Sequence, residues 1–567
     1  MAVIDGYLQR VRRRLGSPAP LPLHTDWRQL LKGDEKAWRQ ARRKAEGGPK
    51  VLIATGIGGH EGLTSVESLL AVALTLRGAE VHFLLCDGFL PACMRATSQK
   101  FKMTSEFAEH GPANALCPKC SRLGAETYAP LGLPVHHYSE LVTAAEQEAA
   151  GDIAGSIPVE QIADFRLDGL AVGEHALAGA LRYFARGSLE GEAFGEAILR
   201  RYLRASVLTT FAVSRLLDDH DFACACFNHG IYVPQGLVGE VARNRGVRVV
   251  NWNPAYRKRC LIFSHNDTYH HTLMSEPTSM WENLPWTPVL DADLMAYLKS
   301  RWSGSQDWIW FHNDPQEDLA RIAGEVGVDF SKPTIGLLTN VMWDAQLHYP
   351  ANAFPNMLDW LLRTVAYFGG RPELQLVIRV HPAEIRGTVP SRQKIVEELQ
   401  AHFPVLPDNV FVIPPESNVS TYAVMLQCDT VLIYGTKTGV ELTSFGVPVI
   451  VAGEAWIRNK GVTLDAQTAD DYFRYLDRLP SGAMLDEATL KRARRYAYHF
   501  FFRRMIPVSC IEPQEGWPPY RLSLTGLEAL RPGREPGLDV ICDGIMQGTP
   551  FVYPAERLRP GAPESSL

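Results

Sequence analysis

Short apolar runs alternate with longer stretches of helical periodicity along most of the chain. A parallel strand covered on both faces is a nearly continuous apolar run, whereas a helix against a sheet carries apolar residues every three to four positions. In the first half, such runs predict strands at 50–55, 80–85, 133–138, 222–228 and 247–252. A helix is predicted at 65–77 and a mainly helical insert at about 140–217. This order is typical of a Rossmann-like α/β domain.

The same alternation restarts after a polar stretch at 314–331. Apolar runs predict strands at 334–338, 374–380, 409–413, 430–434 and 448–452, with helices at 360–368 and 395–402 between them. No internal sequence repeat relates the two halves. The fold class is therefore predicted as α/β, with two successive Rossmann-like units.

A chain of 567 residues is longer than one hydrophobic core usually organises. Changes in composition predict an N-terminal helical segment at 1–48, a first domain at 49–325, a second domain at 332–485, and a helix with a C-terminal tail at 486–567. The last segment starts with a basic, aromatic helix at 491–504. From residue 531 it is rich in proline and glycine and is predicted to wrap the surface.

Composition narrows the classes of function. The net charge of −6 gives no global reason to expect a nucleic-acid partner. The longest apolar run, Leu69–Leu76, is too short to span a bilayer, and the first residues lack the apolar region of a signal peptide, so we expect a cytoplasmic protein. Basic stretches at 10–14 and 39–44 could contact the inner face of an anionic membrane as a peripheral protein does, or could be solvated helix faces.

The segment at 430–453 combines a strand, a turn, a short helix and a second strand. The free N–H groups at the start of such a helix favour an anion such as a phosphate. The predicted donor-phosphate residues are Gly435, Thr436, Lys437, Thr438 and Gly439. Glu441, two residues into the helix, could accept a ribose hydroxyl. The alternative is that Thr438 only caps the helix and that Glu441 is solvated.

Polar residues follow other strands of the second unit. Ligands of open α/β sheets bind beyond the carboxyl ends of the strands, where Asn340, Asp344, Arg379 and His381 are predicted to lie together. Arg379 and His381, with Lys437, could neutralise a diphosphate. In the alternative interpretation His381 only orders a loop and Arg379 pairs with Glu384.

In the first unit the loop TGIGGHEG, at 55–62, ends the first predicted strand. Its glycines permit close approach of a ligand, and His60 and Glu61 are titratable groups beside it. His229 follows the strand FACACF. We regard His60, Glu61 and His229 as candidates for catalysis, the alternative being hydrogen bonding within their loops.

Four of the ten cysteines are clustered in the first unit. Cys117 and Cys120 form a CPKC pair whose spacing suits two thiolates on one tetrahedral metal ion. Cys86 and Cys93 are spaced more widely. The four could bind a structural zinc ion, or they could be reduced cysteines that pack as small apolar side chains.

Several motifs together resemble the capsular polysaccharide biosynthesis family, which contains cytoplasmic glycosyltransferases of the GT-B fold related to Kdo transferases. In chain order they are TNVMWDAQLHY, DWLLRTV, LVIRVHPAE, NVSTY, YGTKTGVELTSFGVPVIVAG and NKGVT, within about residues 333–475. The loop TGIGGHEG also resembles the glycine-rich turn of the transferase that completes lipid II. The cysteine cluster lies outside the matched region.

The resemblance implies a GT-B-like fold of two Rossmann-like domains facing across a cleft, with a helix at 491–504 that crosses back to the first. It implies a nucleotide-sugar donor on the second domain and a saccharide or lipid-linked saccharide acceptor on the first. Val449 stands eight residues after Glu441, where many retaining enzymes have a second glutamate, which favours an inverting mechanism. We expect a metal-independent sugar transferase. Polyol-phosphate transferases and nucleotide-sugar epimerases share the fold and are alternatives, as is a non-catalytic, zinc-stabilised scaffold.

Overall fold

The computed structural model of the chain describes residues 25–308, 311, 314–344, 351–515 and 518–559. It contains two open sheets and a two-stranded ribbon. The strands of the first half are β1 Lys50–Gly56, β2 Glu80–Leu85, β3 Val135–His137, β4 Phe222–Asn228, β5 Arg248–Pro254 and β6 Cys260–His265. The second half contains β7 Thr334–Leu338, β8 Gln375–Arg379, β9 Val410–Ile413, β10 Thr430–Ile433, β11 Val449–Val451, β12 Leu464–Asp465, β13 Met505–Pro507, β14 Ile511–Pro513 and β15 Tyr520–Leu522.

The first sheet has the strand order β13-β6-β5-β4-β1-β2-β3, and the second has the order β12-β11-β10-β7-β8-β9. All pairs of the second sheet are parallel. In the first sheet β6 and β13 are antiparallel to their neighbours and the other pairs are parallel. The predicted α/β class with two mainly parallel sheets is therefore confirmed.

Helices cover both faces of the sheets. Those of the first half are α1 Trp27–Leu30, α2 Glu35–Ala45, α3 Glu61–Leu76, α4 Thr104–His110, α5 Cys117–Tyr128, α6 Tyr138–Leu141, α7 Ala144–Ser156, α8 Val172–Phe184, α9 Gly195–Asp219, α10 Gln235–Asn244, α11 Tyr269–Ser275 and α12 Pro288–Ser303. Those of the second half are α13 Leu319–Val326, α14 Met357–Gly369, α15 Ala383–Arg386, α16 Ile395–His402, α17 Thr421–Met425, α18 Thr438–Ser444, α19 Ala469–Leu476, α20 Glu487–Tyr498, α21 Pro536–Gln547 and α22 Ala555–Leu558.

The chain after the second sheet returns to the first. The helix α20 still packs on the second half of the molecule, where the Tyr496 hydroxyl donates to the Trp456 carbonyl (2.5 Å). A π-helical turn at His499–Arg503 then leads into β13, which pairs with β6 at the edge of the first sheet. The prediction that the tail from residue 531 wraps the surface is wrong, because Leu538, Ile541 and Ile545 of α21 are buried in the core of the first sheet.

The N-terminal basic stretches have different outcomes. Residues 39–44 lie on α2, whose Trp38 is buried and donates its indole N–H to the Leu131 carbonyl (2.9 Å). The stretch at 10–14 lies outside the described residues. None of the helices within the described ranges has the length and apolar composition needed to cross a membrane. Membrane contact and the four segment boundaries therefore stay predictions.

Candidate functional site

Residues that follow parallel strands of both sheets meet at one place. The Tyr232 hydroxyl, beyond the end of β4, donates to Asp344 Oδ1 (2.8 Å), beyond the end of β7. The Arg182 guanidinium of α8 lies over the rings of Tyr232 and Trp343, 5.1 and 5.7 Å from their centroids. We call the region around this contact, formed by His229, Tyr232, His270, Asn340, Asp344 and Gly435, the inter-sheet site. It is where the carboxyl ends of two open sheets face each other, and ligands of α/β sheets bind at such ends.

His229 occupies a strained position at the inter-sheet site. It follows β4 with φ +67°, a left-handed backbone conformation that costs a non-glycine residue on the order of 1–3 kcal/mol. Its Nδ1 is buried and has no hydrogen-bond partner among the residues that the structure describes. The ring centroid lies 4.9 Å from that of Tyr232 and 5.6 Å from that of His270. Burial, with a further contribution from Arg182, lowers its pKa to about 3, so the imidazole is neutral at pH 7.

His270 was not predicted from the sequence. It lies in the first turn of α11, and its ring centroid is 5.8 Å from that of Trp456 in the second half of the chain. Burial and the proximity of His229 lower its pKa to about 3, although the Asp344 carboxylate acts in the opposite direction. Ligands bind beyond the carboxyl ends of parallel strands. Because β6 is antiparallel, the residues that follow it are not expected at that edge. Only the packing of α11 brings His270 to this site.

The turn after β10 lies beside Asn340, which follows β7. Asn340 Oδ1 accepts the Gly435 N–H (3.4 Å), and Thr436 Oγ1 accepts the Thr438 N–H (3.3 Å). A Cβ at Gly435 would lie 3.3 Å from the Glu454 carbonyl oxygen, so any larger side chain would fill the space between these two segments. The predicted donor residues Gly435 to Gly439 therefore lie at the same edge as Asn340.

Glu441 lies in a buried group of charges rather than in solvent. Only 1% of its surface is exposed. Its Oε1 is 3.0 Å from Lys437 Nζ and 3.2 Å from Arg301 Nε, and the Tyr422 hydroxyl donates to Oε2. Burial raises its pKa, but Arg301 and Lys437 more than offset this, so that the pKa is lowered to about 2. The alternative of a solvated Glu441 is therefore wrong, while its contact with a ribose stays a prediction.

Lys437 links this buried group to the first half of the molecule. Its ammonium lies 4.9 Å from the ring centroid of Tyr256, a partly buried residue that follows β5. A second anion, Asp307, pairs with Arg301. The two cations and the two carboxylates together carry no net charge, so the group can be buried without an unbalanced charge.

Arg379 and His381 make contacts that order their own surroundings. The buried Arg379 guanidinium donates to the carbonyls of Pro414 (2.6 Å) and Ser417 (3.2 Å). His381 Nδ1 accepts the Ala383 N–H (3.0 Å), as in the loop-ordering alternative. Glu384 accepts the Ile395 N–H (2.9 Å), and burial raises its pKa to about 7. Phosphate binding by Arg379 and His381 stays a prediction.

The glycine-rich loop of the first half packs closely on protein. A Cβ on Gly58 would lie only 2.5 Å from the Cys120 carbonyl oxygen, and the Gly59 N–H donates to Cys120 Sγ (3.0 Å). These two glycines thus allow the close approach of α5. His60 precedes α3, and its pKa is lowered to about 3 by burial and by Arg95 and Arg182. Glu61 is the first residue of α3, and the catalytic roles of both stay predictions.

The four cysteines predicted as metal ligands converge on one small cavity, which Cys86, Cys93, Cys117 and Cys120 all line. Burial raises the pKa of Cys86 and of Cys117 to about 12, so both are neutral thiols when nothing is bound. As these side chains are placed, no group of three or more histidine, cysteine or acidic residues in the described ranges is arranged to hold a metal ion. A structural zinc ion stays a prediction.

Comparisons with known proteins give structural likeness only. No family model matches the chain, and no curated protein matches it significantly. Among solved structures, a beta Kdo 2,4 transferase, KpsC of Thermosulfurimonas dismutans, has a TM-score of 0.32 and 13% identity over 48% of this chain and 79% of its own. A UDP-GlcNAc 2-epimerase from Neisseria meningitidis, bound to UDP-GlcNAc, has a TM-score of 0.25 and 11% identity over 79% of this chain and 98% of its own. Likeness at this level does not establish an activity for the chain.

Proposed function

We propose that the chain is a glycosyltransferase that moves a sugar from a nucleotide-sugar donor to a saccharide or lipid-linked saccharide acceptor of a surface or capsular polysaccharide. The observation that carries the proposal is the Tyr232–Asp344 contact, which brings together the carboxyl ends of parallel strands from two mainly parallel sheets. Each such end is a ligand-binding edge. Two facing edges provide one surface for a donor and one for an acceptor, which is what group transfer requires.

The donor would lie against the second sheet. Gly435 to Gly439 would contact its phosphates, and the buried Glu441 would hold Lys437 at this turn. Arg182, on α8 of the first half, lies on the other side of the inter-sheet site. Its Nε donates to the Met94 carbonyl (3.3 Å), and its guanidinium lies over Trp343 and Tyr232. A cation that contacts carbonyl oxygen and aromatic rings keeps positive charge available for a phosphate that leaves with a negative charge.

The His229 imidazole is the base that the geometry supports best among the three candidates. It would accept the proton of the acceptor hydroxyl while the new oxygen–carbon bond forms and the bond from the sugar carbon to the donor phosphate breaks. The electron pair of the broken bond leaves on the nucleotide. Arg182 contributes to the low pKa of His229. A bound diphosphate beside Arg182 would offset that contribution and raise the pKa toward the working pH. One displacement of this kind inverts the configuration and needs no metal ion.

The first test is a thermal-shift panel of CMP-, UDP-, GDP- and dTDP-linked sugars. A donor present at 100 times its Kd stabilises the folded state by about 2.7 kcal/mol, so one nucleotide class should raise the Tm more than the others. Products are then analysed with the best stabiliser. Transfer to a saccharide supports the proposal. An epimerised free nucleotide sugar, or binding without turnover, would each replace it with one of the alternative functions.

The base is tested separately with His229→Gln. We expect the variant to keep the donor-induced Tm shift and to lose turnover by about 100-fold or more, as for removal of a general base. The matched control is His110→Gln, because His110 lies on the surface at the end of α4. If His229→Gln turns over as fast as the control, His229 is not the base.

A further inference from the structure

We infer that Cys86, Cys93, Cys117 and Cys120 hold a single tetrahedral zinc ion beside the inter-sheet site. The four residues come from two separate stretches. Cys86 and Cys93 bracket the segment that follows β2, and Cys117 and Cys120 lie in the first turn of α5. The tertiary structure brings all four to the wall of one cavity, together with Gly56, Gly88 and Pro234.

The size of the cavity favours one ion. Its volume is about 20 Å³. A cavity needs about 10–15 Å³ to hold one water molecule, so this one has room for a single water-sized body. In a four-cysteine zinc site the sulfurs lie about 2.3 Å from the metal, which requires the four side chains to close around a common centre. Here the cavity is that centre, and binding would draw the sulfurs inward from their present positions.

A backbone N–H group is hydrogen-bonded to one of the four sulfurs, and others lie close enough to two more to favour their thiolate forms. Cys120 Sγ accepts the Gly59 N–H (3.0 Å). The N–H groups of Gly88 and Leu90 interact with the Cys86 sulfur, and those of Arg95 and Ala96 with the Cys93 sulfur. A hydrogen bond donated to sulfur favours the thiolate over the thiol, and such outer-shell donors orient metal ligands. Apolar packing of four thiols would not need them.

The charges around the cavity fit a four-thiolate centre. Four Cys–SH groups that bind Zn²⁺ release four protons, and the product carries a net charge of −2. Two side chains that interact with these sulfurs, Arg95 and Lys100, are cationic and can balance that charge. Asp87 lies near Cys117, and its carboxylate accepts the Ser139 hydroxyl.

A zinc ion bound by the four cysteines would fix the position of the glycine-rich loop beside the inter-sheet site. Cys120 is the residue against which Gly58 and Gly59 pack, and His60 follows directly. A metal ion that ties α5 to the segment after β2 would fix this loop beside the inter-sheet site. The inference does not depend on the proposed transferase activity.

The test is metal analysis of the full chain, purified without added metal from cells grown in complete medium. We expect about one zinc ion per chain, and its loss in the Cys117→Ser/Cys120→Ser variant. The control is Cys510→Ser, because Cys510 is partly buried near β14 and outside the cluster. Zinc retained by the double variant, iron together with sulfide, or a metal-free chain would each overturn the inference.

A second measurement keeps the inference testable if the variants do not fold. The wild-type chain is stripped with a chelator and refilled with Co²⁺ alone. A four-thiolate site should give thiolate-to-cobalt charge-transfer absorption and the visible bands of tetrahedral cobalt, and the chelated protein should have a lower Tm. A cobalt spectrum without the thiolate bands, or a Tm unchanged by chelation, would contradict the assignment.

Discussion

Glu441→Gln replaces a buried carboxylate with a neutral amide of nearly the same shape. In the folded chain this carboxylate lies 3.0 Å from Lys437 Nζ and 3.2 Å from Arg301 Nε. The amide would leave two buried cations with Asp307 as their remaining anion. Breaking a buried ion pair by removing one partner costs about 3–5 kcal/mol.

The lowered pKa of Glu441 gives a second, independent value for this cost in the free energy of unfolding. It is lowered from 4.5 to about 2. At about 1.36 kcal/mol per pKa unit, the carboxylate contributes about 3 kcal/mol to the free energy of unfolding. Because the pKa is lower in the folded state, this contribution is present above pH 4.5 and is lost as the pH falls toward 2. The broken ion pair and the pKa shift therefore both indicate that Glu441→Gln lowers the free energy of unfolding by several kcal/mol at neutral pH.

The assay is urea unfolding of the wild type and Glu441→Gln at pH 7 and at pH 3.5, followed by tryptophan fluorescence and circular dichroism. We expect a gap of about 3 kcal/mol at pH 7 that narrows at the lower pH. The control, Glu454→Gln, alters a partly buried carboxylate that accepts the Ala351 N–H (2.7 Å) and should cost about 1 kcal/mol or less. A Glu441→Gln chain as stable as this control at pH 7 would refute the buried charge group.

Three further predictions concern other parts of the molecule. Burial raises the pKa of Glu67 to about 7, so ionisation between pH 4.5 and 7 should cost the wild type about 3 kcal/mol of stability. Glu67→Gln should therefore gain about that much stability relative to the wild type between pH 5 and pH 8, and a difference in urea midpoint between the two chains that does not change with pH would contradict it. Tyr232→Phe deletes the hydroxyl that donates to Asp344 and should lower the free energy of unfolding in urea by about 1 kcal/mol. If the effects of Tyr232→Phe and Asp344→Asn simply add in the double variant, the contact does not form in solution. Gly58→Ala places a Cβ 2.5 Å from a carbonyl oxygen of α5 and should lower the free energy of unfolding by about 1–3 kcal/mol. The control is Gly151→Ala, in open space on α7, which should not lower it. Equal Tm values for the two variants would argue against the close packing at Gly58.

Much of the secondary structure could be predicted from local patterns. The strand Glu80–Leu85 and the helix Ile395–His402 have the predicted limits. Parallel strands buried on both faces are apolar throughout, so that a single stretch of sequence identifies them. The strands β6 and β13 and the helix α21 were missed. The three-residue β13 lies at the edge of the first sheet, and α21 lies in a segment rich in proline and glycine, where the local pattern is weaker.

The sequence by itself determined the two α/β units and the strand ends at which Asn340, Asp344, His229 and the turn from Gly435 lie, because these features depend on residues close together in the chain. Only the tertiary structure decided which of them meet. It joins Tyr232 to Asp344, brings His270 to His229, and buries Glu441 against Arg301, which precedes it by 140 residues. Contacts of this kind arise from the packing of whole elements, and no local spacing of residues encodes them.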